Sequence, residues 1–351
     1  MKRVARKIHL TLALVISAFL VLLSLTGALL IYAKDIQLAV NPELWQRTLS
    51  APALDLDTLY QKVQEHSGEK VDFISIEQDS RWAWQARLGD GRYVSLEPST
   101  GEVLHNYAYY DTLYGFTMGL HRWLLWRDTE GKMPLRNLVS TMTLGFMLVL
   151  LVGFYLWAKP KQRLKRLKIN RRAKARVLNR QIHHVLGVYT CLPLLLIAFS
   201  GIAFNWKAPT QAVVNALLPG QVESRPRVED ITPMASTQFQ ESLEKGLAVL
   251  PEASLFRIYF PKSPEKPFTL RLKQPGESHA YSWVWVNPYS AQVINSFDGA
   301  AANMPTQVWN FKYKFHIGDF AGPIVQVLWL LLSLLPVFFV VSGLVMWRGR
   351  K

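Results

Sequence analysis

The sequence is poor in cysteine. Cys191 is the only one, which excludes an intramolecular disulfide and a thiolate metal cluster. No Gly-x-Gly-x-x-Gly stretch occurs, so the chain has no dinucleotide-binding turn of that kind for a nicotinamide or a flavin. Acidic residues are missing from one long segment altogether. Residues 159–180 carry eleven Lys and Arg and neither Asp nor Glu. A net charge of +15 can signal nucleic-acid binding. Here the excess sits in three places: Lys2, Arg3, Arg6 and Lys7; the 159–180 segment; and Arg348, Arg350 and Lys351. Each flanks an apolar run, and the remainder of the chain is slightly acidic. The pattern therefore excludes nucleic acid as a partner and points to a lipid bilayer, with the 159–180 loop against anionic lipid.

Half of the 351 residues are hydrophobic. Four apolar runs stand out, at 8–32, 138–158, 183–206 and 323–347. A helix of about 20 apolar residues crosses the ~30 Å hydrocarbon core of a membrane. The first run exceeds the length of a secretory signal core and no small-x-small cleavage site follows it, so a retained anchor is expected. The positive-inside rule places residues 1–7, 159–180 and 348–351 in the cytoplasm of a bacterial inner membrane. Residues 33–109 and 207–315 then form two periplasmic modules, and 110–126 an amphipathic helix at the membrane interface.

The chain repeats itself. His9 precedes Leu25-Thr26-Gly27 by the same 18 residues that separate His183 from Gly201 in Phe199-Ser200-Gly201. Run two closes on Val152-Gly153 and run four on Ser342-Gly343, each followed four residues later by a tryptophan. The strand–turn–strand pattern VSLEPSTGEVL (94–104) returns as VWVNPYSAQVI (284–294), and each follows a helical stretch, 56–66 and 237–250. The expected fold is α+β: a four-helix transmembrane bundle with two helix-plus-antiparallel-sheet modules inserted between pairs of helices. Pro193 and Pro336 lie within apolar runs and are expected to kink them.

Eight histidines are present. His9 and His183 open runs one and three at the cytoplasmic face; His121 and His316 precede runs two and four at the outer face. A b-type haem takes two imidazoles at one level, aimed at each other across a bundle. The pattern offers two such sites. Eighteen residues are five helical turns, about 27 Å, so Gly27 shares the face of His9 and Gly201 that of His183. Ala13 and Gly187, one turn after these histidines, leave room for a macrocycle or a close helix. His184 points about 100° away from His183; it stands as a second candidate beside it. A zinc site would need a third clustered ligand near His121 and His316. His66, His105 and His279 are expected at the surface of the modules. Arg122, Lys312 and Lys314, with Trp123, Trp309 and Tyr313, form a candidate docking patch.

The segments IHHVLGVY…AFSGIAF, GLHRWLLW, FHIGDFAG…VVSGLVMW and the two hairpins resemble the PepSY-associated transmembrane family over nearly the whole chain. That resemblance implies four membrane helices with periplasmic PepSY-type modules. It includes dihaem inner-membrane ferric-siderophore reductases, and it implies His9, His121, His183 and His316 as the haem-iron ligands of two b haems. Ala13 stands where the family often has glycine. The implied activity is reduction of a ferric siderophore or other Fe(III) chelate, which loosens the chelate because hard oxygen donors favour Fe(III). The donor is then a separate molecule, a quinol or a cytoplasmic flavoprotein. The rival expectation is a PepSY membrane protein without redox activity that binds or regulates a periplasmic peptidase or other partner. A permease is a further alternative, disfavoured by few buried charges in four helices.

Overall fold

A computed structural model describes residues 2–48 and 51–349. Of the basic residues named above, Arg350 and Lys351 lie outside the described residues. The chain opens with a 39-residue helix, α1 (Lys2–Val40), then α2 (Pro42–Trp45) and α3 (Leu56–Ser67). Four strands follow: β1 (Val71–Ser75), β2 (Trp84–Leu88), β3 (Tyr93–Leu96) and β4 (Val103–Tyr107). Next come α4 (Leu113–Trp123), α5 (Leu135–Ala158), α6 (Ala175–Tyr189), α7 (Cys191–Ala203), α8 (Lys207–Leu217) and α9 (Phe239–Val249). The strands β5 (Ser254–Tyr259), β6 (Phe268–Lys273), β7 (Ser282–Val286) and β8 (Val293–Phe297) lead to α10 (Met304–Ile317) and α11 (Gly322–Arg348). The chain divides into two compact units, residues 1–32, 117–213 and 312–351, and residues 33–116 and 214–311.

In the first unit, α1, α5 and α11 are each long and apolar enough to cross a membrane, and the bent pair α6–α7 makes a fourth span if taken together. The third apolar run is thus not one straight helix. It bends by 60° between α6 and α7. Pro193 sits in the first turn of α7, where it offers no N–H and its ring crowds the carbonyl four residues back. The helix closes instead at Thr190. Pro336 is accommodated inside α11. A proline there leaves the Leu332 carbonyl without its helical N–H donor, and one residue on the Ser24 hydroxyl of α1 donates to the Ser333 carbonyl. Ile16, Leu20, Phe146, Val149, Leu150, Leu194 and Ala198 form the apolar contact between α1, α5 and α7.

The second unit is built on one sheet rather than two. Its order is β4-β3-β2-β1-β5-β6-β7-β8, antiparallel throughout. Each half is a four-stranded meander, and the halves meet where Phe73, Ile74 and Ser75 pair with Tyr259, Ile258 and Arg257. Separate sheets would each leave their first strand as an open edge; pairing β1 with β5 removes both edges and gives α3 and α9 a common core. Alternation sends Ile74, Ala86, Leu88, Val94, Leu96, Ile258, Leu270, Leu272, Val284 and Val286 to one face, against Leu56, Leu59 and Val63 of α3 and Phe239 of α9. Asp55 caps α3 by accepting the Thr58 N–H at 3.0 Å. In the β3–β4 turn the fully buried Glu97 accepts from the Thr48 N–H (2.8 Å) and the Ser99 hydroxyl (2.8 Å), which ties the α2–α3 connection to the hairpin.

Candidate functional site

His121 lies in the last turn of α4 and His316 in the last turn of α10. Their ring centres are 6.4 Å apart, with planes tilted by 55°. Metal–imidazole bonds of about 2 Å, one on each side of an ion, put two ring centres roughly 6 Å apart. Each ring is seated on a hydroxyl–glycine dipeptide of an apolar helix. On α1, Thr26 Oγ1 is 2.9 Å from His121 Nδ1, and a Cβ at Gly27 would stand 3.2 Å from His121 Cε1. On α7, Ser200 Oγ is 3.0 Å from His316 Nδ1, and a Cβ at Gly201 would stand 3.1 Å from His316 Cε1. The glycines 18 residues beyond His9 and His183 thus do not make room for those two histidines. They admit His121 and His316.

The hydrogen bonds assign the tautomers. Thr26 Oγ1 already donates to the Leu22 carbonyl at 2.7 Å, and Ser200 Oγ to the Ile197 carbonyl at 2.8 Å. Each hydroxyl has spent its proton, so each can only accept from the imidazole. His121 and His316 therefore carry the proton on Nδ1 and leave the Nε2 lone pair free. His316 Nδ1 also faces the Ile197 carbonyl at 3.1 Å, which again requires N–H there.

The other two predicted ligands follow the same rule with different partners. His9 Nδ1 is 3.1 Å from the Val149 carbonyl of α5, an acceptor only, so it too is an Nδ1–H donor. A Cβ at Gly153 would lie 3.1 Å from its Cε1. His183 Nδ1 donates to Ser342 Oγ at 2.7 Å, whose own proton goes to the Phe339 carbonyl at 3.2 Å. The Phe339 ring meets His183 edge-on at 5.2 Å. At Gly187, one turn along α6, a Cβ would make an ordinary contact with Phe339 at 3.9 Å, so neither ring requires glycine there. His184 is exposed, its ring centre 6.4 Å from that of His183.

Around Phe204, just after α7, the proposed docking residues partly converge. The Arg122 guanidinium is 5.8 Å and the Lys312 ammonium 6.0 Å from its ring centre, and Tyr313 meets it edge-on at 6.3 Å. Phe204 in turn packs edge-on to His316 at 5.4 Å. Arg122 also lies 5.6 Å from the ring centre of Trp123. Burial, with a smaller contribution from Lys207, lowers the Lys312 ammonium to about 8. Trp309 is buried in the other unit, and Lys314 is ion-paired with Asp319. Beyond Trp123, Leu124 and Leu125 both take positive φ, 54° and 59°. Left-handed backbone costs an L-residue roughly 1–2 kcal/mol, so the helix that carries His121 ends on two costly residues. At the end of α10, Gly318 takes φ 76°, and a Cβ there would collide with Trp329 at 2.5 Å.

A family model, the PepSY-associated TM region, matches residues 6–350. The chain belongs to that family. No curated protein matches it. The match to the PepSY-associated TM region spans both compact units, so the sheet and the histidine-bearing helices are parts of one family architecture.

Three of the eight histidines lie in the sheet unit. His66 is exposed, as expected, and His105 and His279 are half-buried. His105 stacks on Tyr107 at 5.0 Å and meets Trp45 edge-on at 5.5 Å, and His279 packs on Phe256 at 4.7 Å. Sequence reasoning passed over Thr26, Ser200, Ser342, Gly153 and Phe204. The first two were within reach, because Thr26-Gly27 and Ser200-Gly201 are equivalent in the repeat and only a hydroxyl is common to the residue before each glycine. The Val149 carbonyl leaves no side-chain signal at all.

Proposed function

We propose that the protein is a membrane electron conduit with two b-type haems, one between His121 and His316 and one held by His9 with His183, which reduces a ferric chelate. One observation carries the reading: all four predicted ligands donate Nδ1–H to a fixed acceptor and present Nε2. A metal-bound histidine characteristically hands its other N–H to such a partner, which fixes the ring and raises its basicity. Among the described residues no group of three or more His, Cys, Asp or Glu is placed to hold a metal ion. Two imidazoles are the donor set that a b-type haem would take from the protein. The 6.4 Å ring spacing and the glycine seats fit such a ligand pair.

When bound, haem supplies one-electron redox chemistry at a potential set by its ligands and burial. The residues do the remaining work. Thr26, Ser200, Ser342 and the Val149 carbonyl orient the imidazoles; Gly27, Gly153 and Gly201 let them approach the neighbouring helix. The apolar packing of α1, α5 and α7 keeps water from the helix contacts. Residues 159–180 then face the cytoplasm and the sheet unit faces the periplasm, as charge asymmetry favours. Arg122, Lys312 and Tyr313 around Phe204 then offer a cationic, aromatic surface beside His316 for an anionic Fe(III) chelate. The electron donor is a separate quinol or flavoprotein. A non-redox role in binding or regulating a peptidase gives no reason for four imidazoles of one tautomer.

The test is anaerobic mixing of the dithionite-reduced, desalted protein with a ferric siderophore and a colorimetric Fe(II) trap. Reoxidation of the protein's visible bands together with stoichiometric Fe(II) is expected. Reduced protein that keeps its electrons in the presence of every ferric chelate tried refutes the activity.

A further inference from the structure

The sheet has two faces of unlike chemistry. One is the apolar core against α3 and α9. The opposite face carries aromatic rings and arginines. Phe73 lies 5.6 Å from Tyr259, and Tyr259 stacks on Trp283 at 5.7 Å with planes 25° apart. The Arg257 guanidinium lies 4.4 Å from the centre of Phe73. That of Arg271 lies 5.5 Å from Trp283 and 5.1 Å from Phe256. Arg225, from the segment between α8 and α9, covers Trp283 at 4.2 Å.

Arg257 and Arg271 are direct cross-strand partners on β5 and β6. Such partners point to one face with Cβ atoms about 5 Å apart, where like charges destabilise a sheet. Both are half-buried. Burial first, and then the charge of Arg257, hold the Arg271 guanidinium below its ordinary range. None of the ion pairs among the described residues includes Arg225, Arg257 or Arg271. Their neighbours are neutral acceptors: Arg257 Nε donates to Ser75 Oγ and Arg271 Nε to the Ala280 carbonyl, both at 2.7 Å, and Arg257 Nη1 donates to the Tyr259 hydroxyl at 3.3 Å. Anchored at Nε, the two guanidiniums meet around the Tyr259 hydroxyl, which is a hydrogen-bond partner of both. Two opposed, partly desolvated cations without a carboxylate are costly unless an anion joins them.

We propose that this face is a binding site for an aromatic oxyanion, an aryl carboxylate or catecholate. Its oxygens bridge Arg257 and Arg271 through charge-assisted hydrogen bonds. Its ring packs against Tyr259 and Trp283, which suits a planar aromatic better than a bare anion. The site uses no histidine of the helical unit, so it stands or falls independently of haem.

The competing account is purely structural, with the arginines held by cation–π contacts alone. Calorimetric titration of the full chain in detergent separates the two. The probe is 2,3-dihydroxybenzoate in metal-free buffer; benzyl alcohol supplies a ring without charge and inorganic phosphate a charge without a ring. We expect saturable one-site binding of the probe, no binding of benzyl alcohol, and at least tenfold weaker binding of phosphate. Arg257→Gln and Arg271→Gln should each weaken the probe tenfold or more, and Arg271→Lys should fall between, because it keeps the charge and loses the fork. Without ligand, the thermal midpoint of Arg271→Gln should hold or rise as the like-charge pair is relieved. Absence of saturable binding overturns the proposal. So does equal binding by Arg271→Gln, Arg271→Lys and wild type, and a lowered midpoint with that result assigns the arginines to structure. Phosphate binding as tightly as the probe overturns the aromatic class.

Discussion

His121 and His316 are backed alike, whereas His9 and His183 are not, although each pair takes one histidine from each half of the chain. Thr26-Gly27 and Ser200-Gly201 hold equivalent places, and each gives its imidazole a hydroxyl acceptor and a flat seat. His9 instead rests on a backbone carbonyl and on Gly153, while His183 rests on Ser342. Gly343, which matches Gly153 in the repeat, has open space where a Cβ would be. Both pairs thus share an acceptor for Nδ1–H, while only the His121–His316 pair draws it from matching residues. Equivalent substitutions should then have equal effects at one pair and unequal effects at the other.

The largest effects are expected from the ligands. His121→Ala and His316→Ala should each remove one haem and leave the other, with matching losses measured by haem-to-protein ratio and by the reduced difference spectrum. Retention of both haems in either variant breaks the pair. Next come the seats. Gly27→Ala and Gly201→Ala should each displace an imidazole by a few tenths of an ångström and loosen the same haem to the same degree. Gly153→Ala should disturb the His9 site, but Gly343→Ala should be silent, because no side chain occupies that space. A Gly343→Ala effect as large as that of Gly153→Ala would erase the asymmetry.

The acceptors should matter less than the seats. Thr26→Val keeps the shape and removes the oxygen that takes the His121 proton; partners of this kind are worth roughly tenfold or more in metal affinity. A haem-release assay should show that loss, with a shifted potential for the His121–His316 haem only, and Ser200→Ala should behave similarly but more mildly, since the Ile197 carbonyl remains for His316. The smallest effect is expected from His184→Ala. His184 is exposed and has no counterpart in the first half, so both haems should stay; loss of one by spectrum would transfer the ligand role from His183 to its neighbour.

Much of this architecture is legible along the chain. Apolar run length and flanking charge give the helices, and period-two alternation with repeated turns gives both meanders and the helices before them. The joining of the meanders is not legible, because nothing local in VDFIS or SLFRIY says which edge another strand will cover. The break at Thr190 was half legible: Pro193 announces a kink, but whether the helix bends or stops depends on packing. At the site, the four histidines stand out by type and by repeat. Their partners do not, since an 18-residue interval specifies a face of one helix and cannot say which neighbour's side chain fills it. Gly27 reads as the companion of His9 by register, yet a different helix brings His121 to it. The cross-strand arginines were hidden for the same reason: register across the sheet places Arg257 opposite Arg271, and no spacing in sequence encodes it.

The central claim is that two imidazole pairs each hold a haem. It is tested most directly by purifying wild type and His316→Ala from cells supplied with ample haem, then measuring haem-to-protein ratio and oxidised and reduced visible spectra. The account predicts a bis-histidine Soret and α-band spectrum with two haems per chain in wild type and one in His316→Ala. Wild-type protein without a Soret band, or a ratio that His316→Ala leaves unchanged, contradicts it.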